Sequence, residues 1–226
     1  MLKKVELCIL ILIIAGLIVL NQNLGKFVTS NEVQVSKHTV VLDAGHGGSD
    51  PGKVGINGAL EKDLNLQITM RIKEMLEKKG IQVVLTRQTD EMLCQANASN
   101  RKQEDMKRRV ELINEAKPFL AVSIHQNSYT DLQVLGAQVF YYSESEEGKK
   151  MAECMQNALL EADPDNTRQA KANDSYYLLK RTQVPTIIVE CGFLSNPLEA
   201  EKLKTKEYQE TIANAIVNGI ESCFGN

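Results

Sequence analysis

Short runs that are apolar at nearly every position recur along this chain, and amphipathic stretches separate most of them. The runs are 38–43, 81–86 (IQVVLT), 119–125 (FLAVSIH), 136–142 (GAQVFYY) and 184–190 (VPTIIVE). A strand without polar alternation must be covered on both faces, which happens when crossover helices pack against a parallel sheet. The intervening segments predict helices over 61–79, 100–116, 144–161 and 206–222. In the last of these, Tyr208, Ile212, Ala215, Ile216 and Ile220 share a face. Lys78, Lys79 and then Gly80 close the first helix. Ser143 with Glu146 has capping-box spacing for the third, and Asn196, Pro197 and Glu199 start a short further helix. The expected fold is one α/β domain with a mostly parallel, twisted sheet of about six strands flanked by helices.

Composition removes several function classes. A chain of 226 residues with 43% hydrophobic residues can enclose one full core. A net charge of −3 and a pI near 5.7 give no electrostatic footprint for nucleic acid, and the absence of Trp leaves few stacking surfaces. Residues 1–25 depart from the rest: Lys3 and Lys4 precede the apolar run Leu7 to Leu20. They predict a signal peptide or an N-terminal membrane anchor, followed by a linker over 26–37 and a catalytic domain over 38–226. The domain is therefore expected outside the cytoplasmic membrane. The five cysteines contain no C-x-x-C pair, so a zinc–thiolate site is not expected.

In parallel sheets, functional side chains gather beyond the carboxyl ends of the strands. The first strand ends in Asp43 and His46, the third in Ser123, His125 and Asn127, and the last in Glu190. Two of the three histidines occupy such ends, whereas His38 begins a strand and reads as a surface residue. Gly47 to Lys53 has the spacing of a phosphate loop, but Val54 replaces the required hydroxyl residue, Pro51 removes a donor and Asp50 places a negative charge in an anion cradle. The pattern argues against nucleotide binding.

A metal explains more. Catalytic zinc takes about three protein ligands and keeps one position open, and imidazoles with a carboxylate suit it. His46 and His125 supply two ligands, and the surrounding glycines let the backbone close around them. The third should be an acid near the loop. Glu61, in ALEKDLNL, is the leading candidate, with Asp43, Asp50 and Asp63 as rivals on sequence alone. Glu190 emerges from PTIIV at the floor of a cleft, where a carboxylate beside a metal can move a proton. Cys191 reads as a small packed residue, since no histidine is assigned to activate it.

Taken in order, HTVVLDAGHGGSDPG, EKDLNL, LTRQTD, SIHQN, GAQVFYY and IIVECGFLSN resemble the zinc-dependent N-acetylmuramoyl-L-alanine amidases of the type-3 family. The stretch DPDNTRQAKANDSYYLLKRTQVPTIIVECGFLSNP is similar to the germination-specific spore-cortex members. The resemblance implies a zinc-exopeptidase-like fold and one zinc ion per chain, held by His46, Glu61 and His125, with Glu190 as the catalytic base. It thereby selects Glu61 over the aspartates. Arg87, Asp90, Arg109 and Asn127 match recurrent family positions and are expected in the framework or the cleft wall. Gln126 stands where other members often carry a smaller or apolar residue, so it could touch the substrate or the water at the metal. The implied reaction is hydrolysis of the amide between N-acetylmuramic acid and L-alanine in peptidoglycan, which in spore cortex precedes muramic-δ-lactam formation. No wall-binding repeat is evident, so localisation is expected from the N-terminal segment or from a protein partner, which could also activate the enzyme. Competing readings are a zinc peptidase cutting within the stem peptide and an inactive wall-binding protein.

Overall fold

Thr39–Ala44 (β1), Gln82–Leu85 (β2), Leu120–Asn127 (β3) and Thr186–Phe193 (β6) are neighbours in a six-stranded sheet completed by Gln138–Tyr141 (β4) and Lys171–Ala172 (β5). The order is β2-β1-β3-β6-β4-β5, parallel except where β4 runs against β6. The computed structural model describes residues 39–95 and 97–224. The expected signal or anchor, the linker and His38 lie outside the described residues. Among those described, no helix is long and apolar enough to cross a membrane.

The described residues form six helices, in chain order Glu61–Lys78 (α1), Arg101–Ala116 (α2), Glu146–Ala162 (α3), Tyr177–Arg181 (α4), Pro197–Lys204 (α5) and Lys206–Phe224 (α6). Strand side chains alternate between two layers. Val40, Leu42, Leu120, Val122, Ile124 and Val189 enter a core shared with α1, α3 and α6. Val41 and Ala121 point the other way, onto Ile113 of α2 and Leu178 of α4. Fully buried residues such as Ile68, Ile72 and Ile216 each contribute roughly 1.5–3 kcal/mol by leaving water.

This alternation positions the chemistry. Asp43, Ser123, His125 and Glu190 share their face with Val41, Ala121 and Ile188, under α2 and α4 rather than under the larger core. His125 and Glu190 are register partners on adjacent parallel strands.

The expected elements recur with shifted ends. The third helix is capped by Ser145, whose side chain accepts from Gly148 N at 3.0 Å; the Ser143 amide instead donates to Asp174. Asn196 caps α5 as expected, accepting from the amides of Leu198 and Glu199. The buried Glu199 carboxylate, however, accepts from the amides of Phe193 and Gly136 at 2.8 and 3.1 Å and so ties the end of β6 to the chain before β4. The two-residue β5 and the five-residue α4 had no counterpart in the sequence pattern.

Candidate functional site

The loop after β1 is folded tightly. Gly47 and Asp50 exchange both backbone hydrogen bonds at 3.0 Å, which closes a two-residue turn instead of a phosphate cradle. The chain doubles back again at Val54 and Leu60, so Glu61, the first residue of α1, donates its amide to Lys53 O. These two reversals carry Glu61 back over the end of β1. His46 lies just before the first of them with φ 62°, a left-handed conformation that costs a non-glycine residue roughly 1–2 kcal/mol. Arg109 Nη2 holds it there, donating to the His46 carbonyl at 2.6 Å.

His46, Glu61 and His125 converge, with one ligand atom from each lying within 4.8 Å of the others. Glu61 Oε1 is 2.8 Å from His125 Nδ1 and 3.2 Å from His46 Nε2. Tetrahedral zinc with ligand bonds of about 2.0–2.2 Å sets its donors roughly 3.3–3.5 Å apart, so small adjustments would admit the ion. The other Glu61 oxygen accepts from Lys53 N at 2.7 Å, which anchors the carboxylate at a helix N-terminus that favours negative charge. His46 Nδ1 faces Asp50 Oδ2 at 3.0 Å, the kind of outer contact that orients a metal-binding imidazole. The surroundings leave no spare room. A Cβ at Gly45 would collide with the His125 ring, and one at Gly52 would meet Glu61 Oε2 at 2.5 Å and His46 Cδ2 at 2.7 Å. The donor set and this close backbone cradle both fit zinc.

Electrostatics follow from the packing. Burial acts to raise the Glu61 carboxyl, but hydrogen bonds and charge from His125 and His46 hold it well below the usual carboxylate range. Burial pushes Glu190 up; His125 opposes the shift and the negative charge of Glu61 adds to it. Glu190 is 5% exposed, and it lines the same cavity of about 410 Å³ as His46, Glu61 and His125. One of its oxygens, Oε1, accepts from the Tyr176 hydroxyl at 3.1 Å, while Oε2 is buried with no hydrogen-bond partner among the described residues. A buried carboxylate oxygen without a protein donor is costly, and on a residue that lines a cavity it is a candidate proton acceptor.

The rival aspartates have other partners. Asp63 is exposed on α1 and Asp50 orients His46. Asp43 accepts from Arg109 at 2.6 Å and from the hydroxyls of Thr86 and Ser123. Arg109 also bonds Asp105 and the carbonyls of Ala44 and His46; Arg87 donates to the carbonyls of Ala44, Gly45, Lys62 and Thr89. Asp90 accepts from Gly48 N and Lys62. All three are framework residues that hold the loop, and Asn127 lines the cavity. Gln126 also lines the cavity. Its amide nitrogen donates to the buried Asn65 Oδ1 at 3.2 Å, and its backbone N–H donates to Glu61. Asn65 in turn donates to Gly45 O. Sequence reasoning missed Asn65 and Tyr176; the position of Asn65 four residues after Glu61, on the same helix face, was the available signal. Cys191 is fully buried, and burial pushes its thiol far above the ordinary range, in keeping with a packed residue.

A family model described as N-acetylmuramoyl-L-alanine amidase matches residues 40–222. This chain belongs to that family. It is 39% identical over 193 residues to the germination-specific N-acetylmuramoyl-L-alanine amidase of Bacillus subtilis (strain 168), covering 84% of this chain and 81% of the relative. Among solved structures it resembles the CwlD amidase from Clostridioides difficile in complex with the GerS lipoprotein. That match has a TM-score of 0.81 and 38% identity, over 84% of this chain and 99% of that one. The amidase AmiC2 of Nostoc punctiforme matches with a TM-score of 0.74 and 33% identity, over 84% and 99% of the two chains.

In this amidase the Asp43–Arg109 pair is a stability element as well as a support for the loop. Burial acts to raise Asp43, but Arg109 and the two hydroxyls outweigh it and lower the carboxyl from 3.8 to about 2. The folded state therefore binds fewer protons than the unfolded chain between these values. The contribution, on the order of 2 kcal/mol, is present above pH ~4 and is lost as pH falls through about 2. Arg109→Met leaves two buried carboxylates without their guanidinium and should cost about 3–5 kcal/mol at neutral pH. Urea unfolding at pH 7 and pH 3 checks both statements: a variant with the parent midpoint would refute them.

Proposed function

We propose that this chain is a zinc-dependent hydrolase of the amide between N-acetylmuramic acid and L-alanine, acting on peptidoglycan of the spore cortex outside the cytoplasmic membrane. The observation that carries the reading is one cavity containing the His46–Glu61–His125 cluster together with the unpartnered Oε2 of Glu190. His46, Glu61 and His125 would hold the metal. When bound, zinc supplies Lewis acidity toward the amide carbonyl and makes water more acidic.

The remaining chemistry belongs to the chain. Glu190 Oε2 accepts the proton of the attacking water and returns it to the departing L-alanine nitrogen, which leaves as an amine. Its raised pKa suits both halves: the carboxylate is a stronger base toward the water, and its conjugate acid is still acidic enough to protonate the more basic departing nitrogen. Asp50 keeps His46 turned toward Glu61, and Arg109 keeps the loop from unwinding. Likeness to a germination-specific amidase supports the cortex, with stem-peptide removal preparing muramic acid for δ-lactam formation. Residues 1–25 are proposed as a signal or anchor, 26–37 as a linker and 38–226 as the catalytic domain. The complex of the Clostridioides difficile relative with a lipoprotein supports a protein partner here too.

Metal content of the purified chain, measured beside hydrolysis of muramyl-peptide glycan, tests the proposal. One zinc per chain with release of peptides bearing free N-terminal L-alanine is the expected result. Fragments cut inside the stem peptide would instead establish a peptidase. Metal-loaded protein that binds glycan without cleaving it would establish a wall-binding protein.

A further inference from the structure

Resting on the assignment of Glu190 as the base, we infer that Tyr176 is a positioning residue for catalysis, its hydroxyl fixing which oxygen of Glu190 takes the proton. The terminal torsion of a glutamate is broad and nearly two-fold, so an untethered carboxylate presents either oxygen to the cavity. Here the two oxygens are made unequal. Oε1 accepts from the Tyr176 hydroxyl at 3.1 Å, and Oε2 has no partner among the described residues.

The hydroxyl is itself held in place. Asn173 Oδ1 accepts from the amides of Ser175 and Tyr176 and from the Ser175 hydroxyl, and the Asn173 amide donates to Tyr141 O on β4. This turn delivers Tyr176 to the start of α4, where it is the N-cap residue but its side chain makes no capping bond. The ring packs edge-on against Phe140 at 5.7 Å between centroids, beside Ile188 and Leu179. A ring wedged in this way loses little further freedom when its hydroxyl is used, which is the condition for positioning a partner. The arrangement also gives a purpose to the two-residue β5: the segment between it and α4 carries the tyrosine to the cavity that Glu190 and His125 line.

The test is a double-mutant cycle on the zinc-loaded enzyme, with kcat, KM, zinc stoichiometry and melting temperature measured for each variant. Tyr176→Phe keeps the ring and its packing. It should lower kcat by about 10- to 100-fold, the loss expected for one hydrogen bond to a charged group, with KM and zinc content unchanged. Added to Glu190→Gln, the same substitution should change kcat by less than about twofold, because the hydroxyl acts only through the carboxylate. Independent, multiplying losses would overturn the inference by showing that the hydroxyl acts on the substrate directly. So would an unchanged kcat, or a raised KM alone, which would mark Tyr176 as cavity wall. Retention of activity by Glu190→Gln would instead defeat the assignment of the base while leaving the zinc site standing.

Discussion

Glu190→Gln is expected to lower kcat by about 10²–10⁴, the range for removing a general acid–base, while zinc stays bound and KM changes little. The side chains have nearly the same shape, and the amide oxygen can still accept from Tyr176, so the geometry around β6 should persist. What disappears is an oxygen able to take a proton. Glu190 is buried and its carboxyl is pushed above the ordinary range by that burial, so a neutral amide is no harder to bury. The variant should therefore melt at or above the temperature of the parent. The parent's kcat should fall on acidification at a pH higher than an ordinary carboxylate would give, since the base works deprotonated and its pKa is raised. That limb should be missing from the residual activity of the variant. Parent-like turnover by Glu190→Gln would remove Glu190 from the reaction.

Losing the metal should be equally damaging. Glu61→Ala deletes the oxygen on which both imidazoles converge, at 2.8 and 3.2 Å, and a three-ligand site reduced to two should lose zinc at micromolar concentrations and activity with it. Asp50→Asn removes only the charged partner of His46 Nδ1. It should weaken zinc affinity by about 10–100-fold, so added zinc restores activity there but not in Glu61→Ala. Burial favours neutral His125, but Glu61 outweighs it and raises the imidazole's pKa, so protons compete with the metal and zinc retention should decline on acidification. Metal titrations of the three proteins at two pH values decide this. A Glu61→Ala protein holding stoichiometric zinc would refute the ligand assignment.

Much of this was legible before any coordinate. The apolar runs from Val40 and from Phe119 and the PTIIV run before Glu190 could only be strands covered on both faces, so the parallel sheet and its flanking helices followed from burial alone. Because side chains gather beyond strand carboxyl ends in such sheets, His46, His125 and Glu190 could be singled out as well, and family likeness added Glu61. The pairing of the Ser143 amide with Asp174, the reach of Glu199 to Gly136 and the tiny β5 were not legible, because each depends on a contact distant in sequence rather than on a local period.

The same division holds within the site. The sequence by itself determined the strand ends and the residue types able to bind a metal, since pattern and composition act locally. Pattern and spacing left four acids open as partners of the histidines; the resemblance singled out Glu61, and the physical reason for it lies in the tertiary structure. Two chain reversals carry Glu61 onto His46 and His125, whereas Arg109, 66 residues away, takes Asp43 into a buried ion pair. It likewise chose the bonded oxygen of Glu190 by bringing the Tyr176 hydroxyl to it, a contact that no spacing along the chain encodes.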